Sequence, residues 1–368
     1  MLIFDGDYPM AYGALDLNRD LTLPIDEVRN AEPHPNQTVA QLDSETMASL
    51  PEMRRGKIAG ALTKIVARIE RPGAPLWGYR SAASAYAAAQ AHLAYYRILE
   101  AQGEARILKT RDDITDVLAT WSEARTFTDL AIGFILGLEG ADPILFPHQV
   151  HEWWDEGVRV VSLSHYGVST YCHGTGTGTS GGLFPPAKQL LEEMDSIGMI
   201  LDVTHASDES VRQELDLFSG PVLASHQNCR AIASGERQFP DDILKRIIDR
   251  GAVIGASMDT WMLYPVSRDW ADKSVSRRSV FPREAVTLEN LVDHIDHVCQ
   301  LAGNSEHAAI GGDTDGQGGR EGAPIEIDTV ADYQKVAGVL EERGYSDDDI
   351  ANVMYRNWQR FFEKWLPE

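Results

Sequence analysis

Three cysteines in 368 residues, Cys172, Cys229 and Cys299, are few, odd in number and never spaced as a CxxC pair. Neither a disulfide framework nor a thiolate zinc site is expected. Basic residues are also scarce: 33 Lys plus Arg against 56 Asp plus Glu leave a formal net charge of −23. So acidic a surface repels phosphate backbones and anionic headgroups, so neither nucleic acid nor membrane is expected as a partner. Solubility is its plain consequence. No apolar run approaches a membrane span, and the opening Met1-Leu2-Ile3-Phe4-Asp5 lacks the basic segment and apolar stretch of a signal peptide. A cytoplasmic protein with reduced thiols is expected. Phosphate-binding motifs are missing too. His173 to Gly182 alternates Gly with Thr but has neither the P-loop lysine nor GxGxxG, so a flexible loop is expected there, not a nucleotide cradle. Gly311 to Gly322 is a second Gly-rich loop.

What the chain does have is 43 % hydrophobic residues, ample for a large core. Short apolar runs alternate with amphipathic stretches, about eight times. The runs are Leu2 to Phe4, Ile58 to Val66, Gly133 to Leu138, Val158 to Leu163, Met199 to Val203, Pro221 to Ala224, Ala252 to Ala256 and Ala308 to Gly311. Runs rich in Val, Ile and Leu suit strands buried on both faces, as parallel sheets require. Helical patterns lie between them: Ser81 to Leu99, Ala187 to Ile197, Asp208 to Leu217, Ile243 to Asp249 behind Pro240, Thr287 to about Leu301, Thr329 to Arg343 and Asp347 to Leu366. Eight repeats favour a closed (β/α)8 barrel, an α/β TIM barrel forming one domain over residues 1–368, above an open doubly wound sheet.

Polar residues follow most of the apolar runs: Asp7, Glu139, His165, His205, His226 and Asp313. Singly, each has a dull reading as a hydrogen-bonded histidine, a helix cap or a solvated carboxylate. Together they are harder to dismiss, because barrel closure gathers the strand ends into one ring. Histidines plus carboxylates in a ring are a ligand set for Zn²⁺ or a similar divalent ion. The remaining histidines and tryptophans read as structural: His294 and His297 on an exposed helix surface, His148 and His151 at a helix start, His173 in its loop, Trp77 and the Trp153-Trp154 pair in packing. Trp261, after the seventh run, is a candidate pocket wall.

At this point the sequence resembles the membrane (renal) dipeptidase family of zinc dipeptidases, within the amidohydrolase-like barrels. The matching stretches are Gly137 to Gly140, Leu163 to His165, Gly198 to Ser207, Ala224 to Ile232, Gly311 to Gly316 and Asn357 to Arg360. The resemblance covers nearly the whole chain. It implies that Glu139 bridges two zinc ions, that His205 and His226 complete the second site, and that Asp313 belongs to the first site and moves the proton. It also implies that His165 steadies the oxyanion and that Arg230 grips the substrate carboxylate, for which a guanidinium fork is suited. The implied activity is hydrolysis of dipeptides or related small amides, and a homodimer is common among such barrels.

The opening strand departs from that pattern. The family ends it in a His-x-Asp pair that binds the first zinc; here Asp7 stands for the histidine and Pro9 for the aspartate. Proline offers no ligand. Three outcomes stay open: one metal on Glu139, His205 and His226, a weaker or harder ion on Asp7 and Asp313, or a fold that has lost hydrolysis. An amidohydrolase of another small substrate and a non-catalytic metal-binding or ligand-binding relative are the rival functions.

Overall fold

The computed structural model describes residues 1–31, 45–71, 77–176, 178, 181–264, 283–315 and 319–368. Thr177, Thr179 and Ser180 of the Gly/Thr loop, and Gly316 to Gly318 of the second Gly-rich loop, lie outside them.

Nine strands occur among the described residues: β1 (Ile3–Tyr8), β2 (Ile58–Ile65), β3 (Ala105–Ile107), β4 (Ile132–Leu138), β5 (Val158–Ser162), β6 (Ile200–Asp202), β7 (Val222–Leu223), β8 (Ile254–Ala256) and β9 (Ala308–Ile310). Every ladder is parallel. The hydrogen-bonded order runs β1-β2-β4-β5-β6-β7, and β8 pairs with β9. A single parallel bridge, Ala224 to Ile254, joins β7 to β8. The ring closes where Asp313 N, just past β9, donates to Asp7 O of β1 at 3.1 Å. This is the curled parallel sheet of the expected barrel, and β1, β2 and β4 are buried along their whole length. Each fully buried Leu, Ile or Val contributes roughly 1.5–3 kcal/mol.

One strand was not anticipated. β3 lies against the N-terminal half of β4, at residues 132–134, while β5 takes residues 136–138 of the same edge. Ala-Arg-Ile is too short and too mixed to stand out as an apolar run.

Elsewhere the expected elements hold, with small shifts at their ends. The helix Asp208–Leu217 is capped by Ser207, whose side chain accepts from Ser210 N. Pro240 occupies the cap position and not the first turn of the helix Asp241–Asp249. The closing stretch is broken by a wide turn at Asn352–Arg356 before the helix Asn357–Trp365. That turn places Asn357 Nδ2 on the carbonyls of Ser305 and Ala308, at 2.7 and 2.8 Å, and Trp358 Nε1 on Ile310 O at 2.9 Å. The Asn-Trp pair thus satisfies carbonyls around β9 that would otherwise be buried unpaired.

Backbones crowd closely near the end of β7. A side-chain carbon on Gly255 would sit 2.0 Å from Ser225 O, and one on Gly6 2.5 Å from the same atom. Only glycine lets β1 and β8 approach here. This crowding brings Asp7, Ser225 and His226 to one spot.

Candidate metal centre

Three donor atoms converge at the mouth of the barrel. Glu139, past β4, presents Oε1; His205 and His226, past β6 and β7, present Nε2. His205 Nε2 lies 3.0 Å from Glu139 Oε1 and 2.8 Å from His226 Nε2, and His226 Nε2 lies 3.5 Å from Glu139 Oε1. Bonds of about 2.0–2.1 Å at tetrahedral angles separate ligand atoms by about 3.3 Å, so this spacing fits one zinc-sized ion.

The protonation states agree with that fit. Burial, and then the charge of Arg237, holds His205 well below the usual histidine range. Burial followed by Arg68 does the same to His165. Both imidazoles are therefore neutral, the form that binds metal. Glu139 is pushed up to about 8, by burial first and then by the charge of Asp7. A carboxyl so reluctant to ionise gains most from a cation beside it. His226 is held from behind: its Nδ1 meets Ser225 Oγ at 2.9 Å and Asp7 Oδ1 at 3.1 Å. Ser225 Oγ donates to Asp202 Oδ2 at 2.6 Å, so Nδ1 carries the proton and Nε2 keeps its lone pair for an ion.

Backbone conformation also marks the site. His205 and Asp313 are two of the four non-glycine residues with positive φ among those described, at 70° and 58°. Left-handed backbone costs such residues about a kilocalorie per mole or more, and it concentrates at functional sites.

Over the donors lies a cleft whose polar wall includes Arg68, Glu139, His165, His205, Asp259 and Asp313. Pro9, Tyr12, Val66 and Tyr166 supply its less polar side. His165 Nε2 is 3.5 Å from Glu139 Oε1. Arg68 Nη1 lies 2.7 Å from His165 Nδ1. A guanidinium only donates, so Nδ1 accepts and Nε2 bears the proton, facing the centre.

Of the expected residues, Glu139, His165, His205, His226 and Asp313 come together, with Asp313 Oδ2 3.8 Å from His226 Nε2. Asp7 also comes to the centre, but its Oδ1 is engaged by His226 Nδ1 and by Lys64 Nζ, each at 3.1 Å.

Arg230 does not reach the centre. Its guanidinium makes a two-pronged ion pair with Asp208, both contacts 2.7 Å, and its Nε donates to the carbonyls of Gly235 and Gln238. The guanidinium at the centre is that of Arg237, buried, with Nη2 3.5 Å from His205 Nε2 and 3.0 Å from His226 O. Its Nε has no acceptor. Both arginines sit in the loop between β7 and the next helix, and spacing alone does not tell which one turns inward.

Two other readings change, those of His294 and Trp261. His294 is buried, not exposed, and its Nδ1 accepts from Cys229 N at 3.0 Å. Trp261 does not line the cavity; its neighbour Asp259 does. His173 packs on Phe184, with ring centroids 4.8 Å apart. His148 and His151 both meet Glu193 Oε2, at 3.3 and 2.9 Å.

Lys64 and Arg68, both on or just after β2, carried no signal of a site role. Lys64 is fully buried in the lumen, with Nζ 2.7 Å from Asp202 Oδ2 and 3.0 Å from Ser225 Oγ.

Comparison with known proteins places this arrangement among relatives. An uncharacterized dipeptidase of Schizosaccharomyces pombe is 28 % identical over 63 % of this chain and 53 % of its own length. A dipeptidase of Clonostachys rogersoniana is 28 % identical over 70 % of this chain and 62 % of its own. The matched stretches thus span little more than half of these relatives. In fold, the chain resembles a Rhodobacter sphaeroides metallopeptidase solved with a phosphinate mimic of L-Ala-D-Ala, with TM-score 0.75, 19 % identity and 99 % of both chains covered. It equally resembles a probable dipeptidase of Pseudomonas aeruginosa, with TM-score 0.75, 21 % identity, and 99 % and 95 % covered. The family model for membrane dipeptidases matches residues 11–365, so a barrel that gathers Glu139, His205 and His226 at its mouth belongs to the membrane dipeptidase family, peptidase family M19.

Proposed function

We propose that the protein is a metal-dependent hydrolase of dipeptides or related small amides, with zinc as its ion. The observation that carries this is the convergence of Glu139 Oε1, His205 Nε2 and His226 Nε2 within 2.8–3.5 Å beneath the cleft. Family membership supports it.

An ion held by these three residues would polarise the scissile carbonyl and make water acidic enough to attack near neutral pH. The chain's own residues do the rest. Asp313 accepts the proton of the attacking water and returns it to the leaving nitrogen. His165, with its proton fixed on Nε2 by Arg68, donates to the developing oxyanion. Arg237, not Arg230, anchors the substrate carboxylate, because its guanidinium lies beside His205 whereas that of Arg230 is tied to Asp208. Tyr12 and Tyr166 wall the cavity around the substrate.

The test is a panel of L-L and L-D dipeptides, N-acyl amino acids and lactones offered to Zn²⁺-loaded protein, with His205→Ala as control. Dipeptide turnover lost in the control supports the reading. Turnover confined to acyl amino acids or lactones would move the protein to another amidohydrolase activity.

A further inference from the structure

Lys64 reaches across the lumen from β2 to Asp202 at the end of β6, which is not a neighbouring strand. Its ammonium has three donors and three acceptors: Asp202 Oδ2 at 2.7 Å, Ser225 Oγ at 3.0 Å and Asp7 Oδ1 at 3.1 Å. It is saturated and shielded from water. The remaining acceptors of Asp202 are also engaged, since its Oδ1 takes the N–H groups of Thr204 and Ser225.

A second cluster of possible ligands stands beside this ammonium: Asp7, His226 and Asp313. It is poorly suited to a dication. Asp7 Oδ1 is taken by Lys64 and by His226 Nδ1, which leaves Oδ2 as the only oxygen of Asp7 without a partner. His226 already presents Nε2 to Glu139 and His205. Pro9 adds no donor. A second dication here would also lie close to a fixed positive charge, in a medium that screens poorly.

We propose that Lys64 is a built-in cation that takes the place of a second metal ion: it neutralises Asp7 and Asp202, makes Asp7 a prop for His226 instead of a ligand, and limits the centre to one ion. This rests on the reading of Glu139, His205 and His226 as a metal centre, but its test counts ions and does not need turnover.

The surface group His148, His151 and Glu193 has donor spacing that could hold an ion of its own, so the parent for the experiment is His148→Asn/His151→Asn, which keeps the count to the barrel mouth. Metal-free parent protein is titrated with CoCl2 and followed by electron paramagnetic resonance and by equilibrium dialysis. The expected result is one Co²⁺ per chain, with an isolated high-spin signal that grows to one equivalent and then stops. Two ions with a magnetically coupled signal would overturn the proposal. Lys64→Gln in the same background is expected to take up a second, coupled Co²⁺, and Lys64→Arg to stay at one. A folded Lys64→Gln protein that still stops at one would show that the missing ligand at Pro9, not Lys64, sets the limit, and would overturn the role given to Lys64. Should Lys64→Gln not fold, the parent's count and the Lys64→Arg count decide. No binding at all would instead overturn the metal centre itself.

Discussion

Single side chains at this centre have separable duties, and substitution should separate them. His205→Ala removes one of three donors and should cost at least tenfold in metal affinity, read by dialysis, together with nearly all turnover. Arg68→Met leaves the donors in place but frees His165 to choose its tautomer. We expect kcat to fall roughly 10- to 100-fold, the scale of a weakened oxyanion contact, with metal content unchanged. Arg237→Ala should raise KM for substrates with a free carboxylate, whereas Arg230→Ala should lower stability through loss of the Asp208 pair and leave KM alone. The opposite pattern would return the anchoring role to Arg230. The strand-end residues were legible because a polar side chain directly after an apolar run has one place to go in a barrel. Lys64 was not legible: a lysine inside Ile58 to Val66 looks like a surface residue until the strand across the lumen offers it Asp202. Arg68 was hidden for a similar reason, since its meaning depends on His165 from another strand.

Elements carry the centre through their ends. Ser207 both follows the His205 turn and caps the helix Asp208–Leu217, while its Oγ also donates to Gly181 O at 2.6 Å. On the inner face of that helix lies Glu214, buried, with neither oxygen hydrogen-bonded. Burial, and then the charge of Asp202, pushes its pKa up to about 8 from an ordinary 4.5. The sign follows from proton counting. Between pH 4.5 and 8 the folded chain holds a proton that the unfolded chain has lost, so stability falls as pH rises through this window. Glu214→Gln should flatten that fall, by up to a few kcal/mol, in urea midpoints compared at pH 5 and pH 8. Equal slopes for both proteins would place the carboxyl's pKa near its ordinary value. Element types were read well at Pro185–Ile197, with its buried Leu190, Leu191 and Met194, but the equally long helix Arg111–Glu123 was missed. They were read poorly where an element is short (β3) or where a turn of altered pitch interrupts a helix, as at Asn352–Arg356.

At the scale of the whole molecule, the main hydrophobic core of the described residues runs from Ile3 to Leu366, beside a small cluster of Tyr12, Leu17 and Val66, and no helix among the described residues is long and apolar enough to cross a membrane. The proposed ligands Glu139, His205 and His226 follow β4, β6 and β7, so an ion held by them would tie those strand ends together and stabilise the fold. Removal of metal by a chelator should lower the thermal midpoint by several degrees; an ion present at a thousandfold over its Kd contributes about 4 kcal/mol. The most direct test of the account is release of amino acids from a dipeptide panel by metal-free protein as Zn²⁺ is restored stepwise. The account predicts turnover that rises to one equivalent at the Glu139, His205 and His226 centre and is absent in His205→Ala. A folded protein that binds Zn²⁺ there yet cleaves no dipeptide at any loading would contradict it.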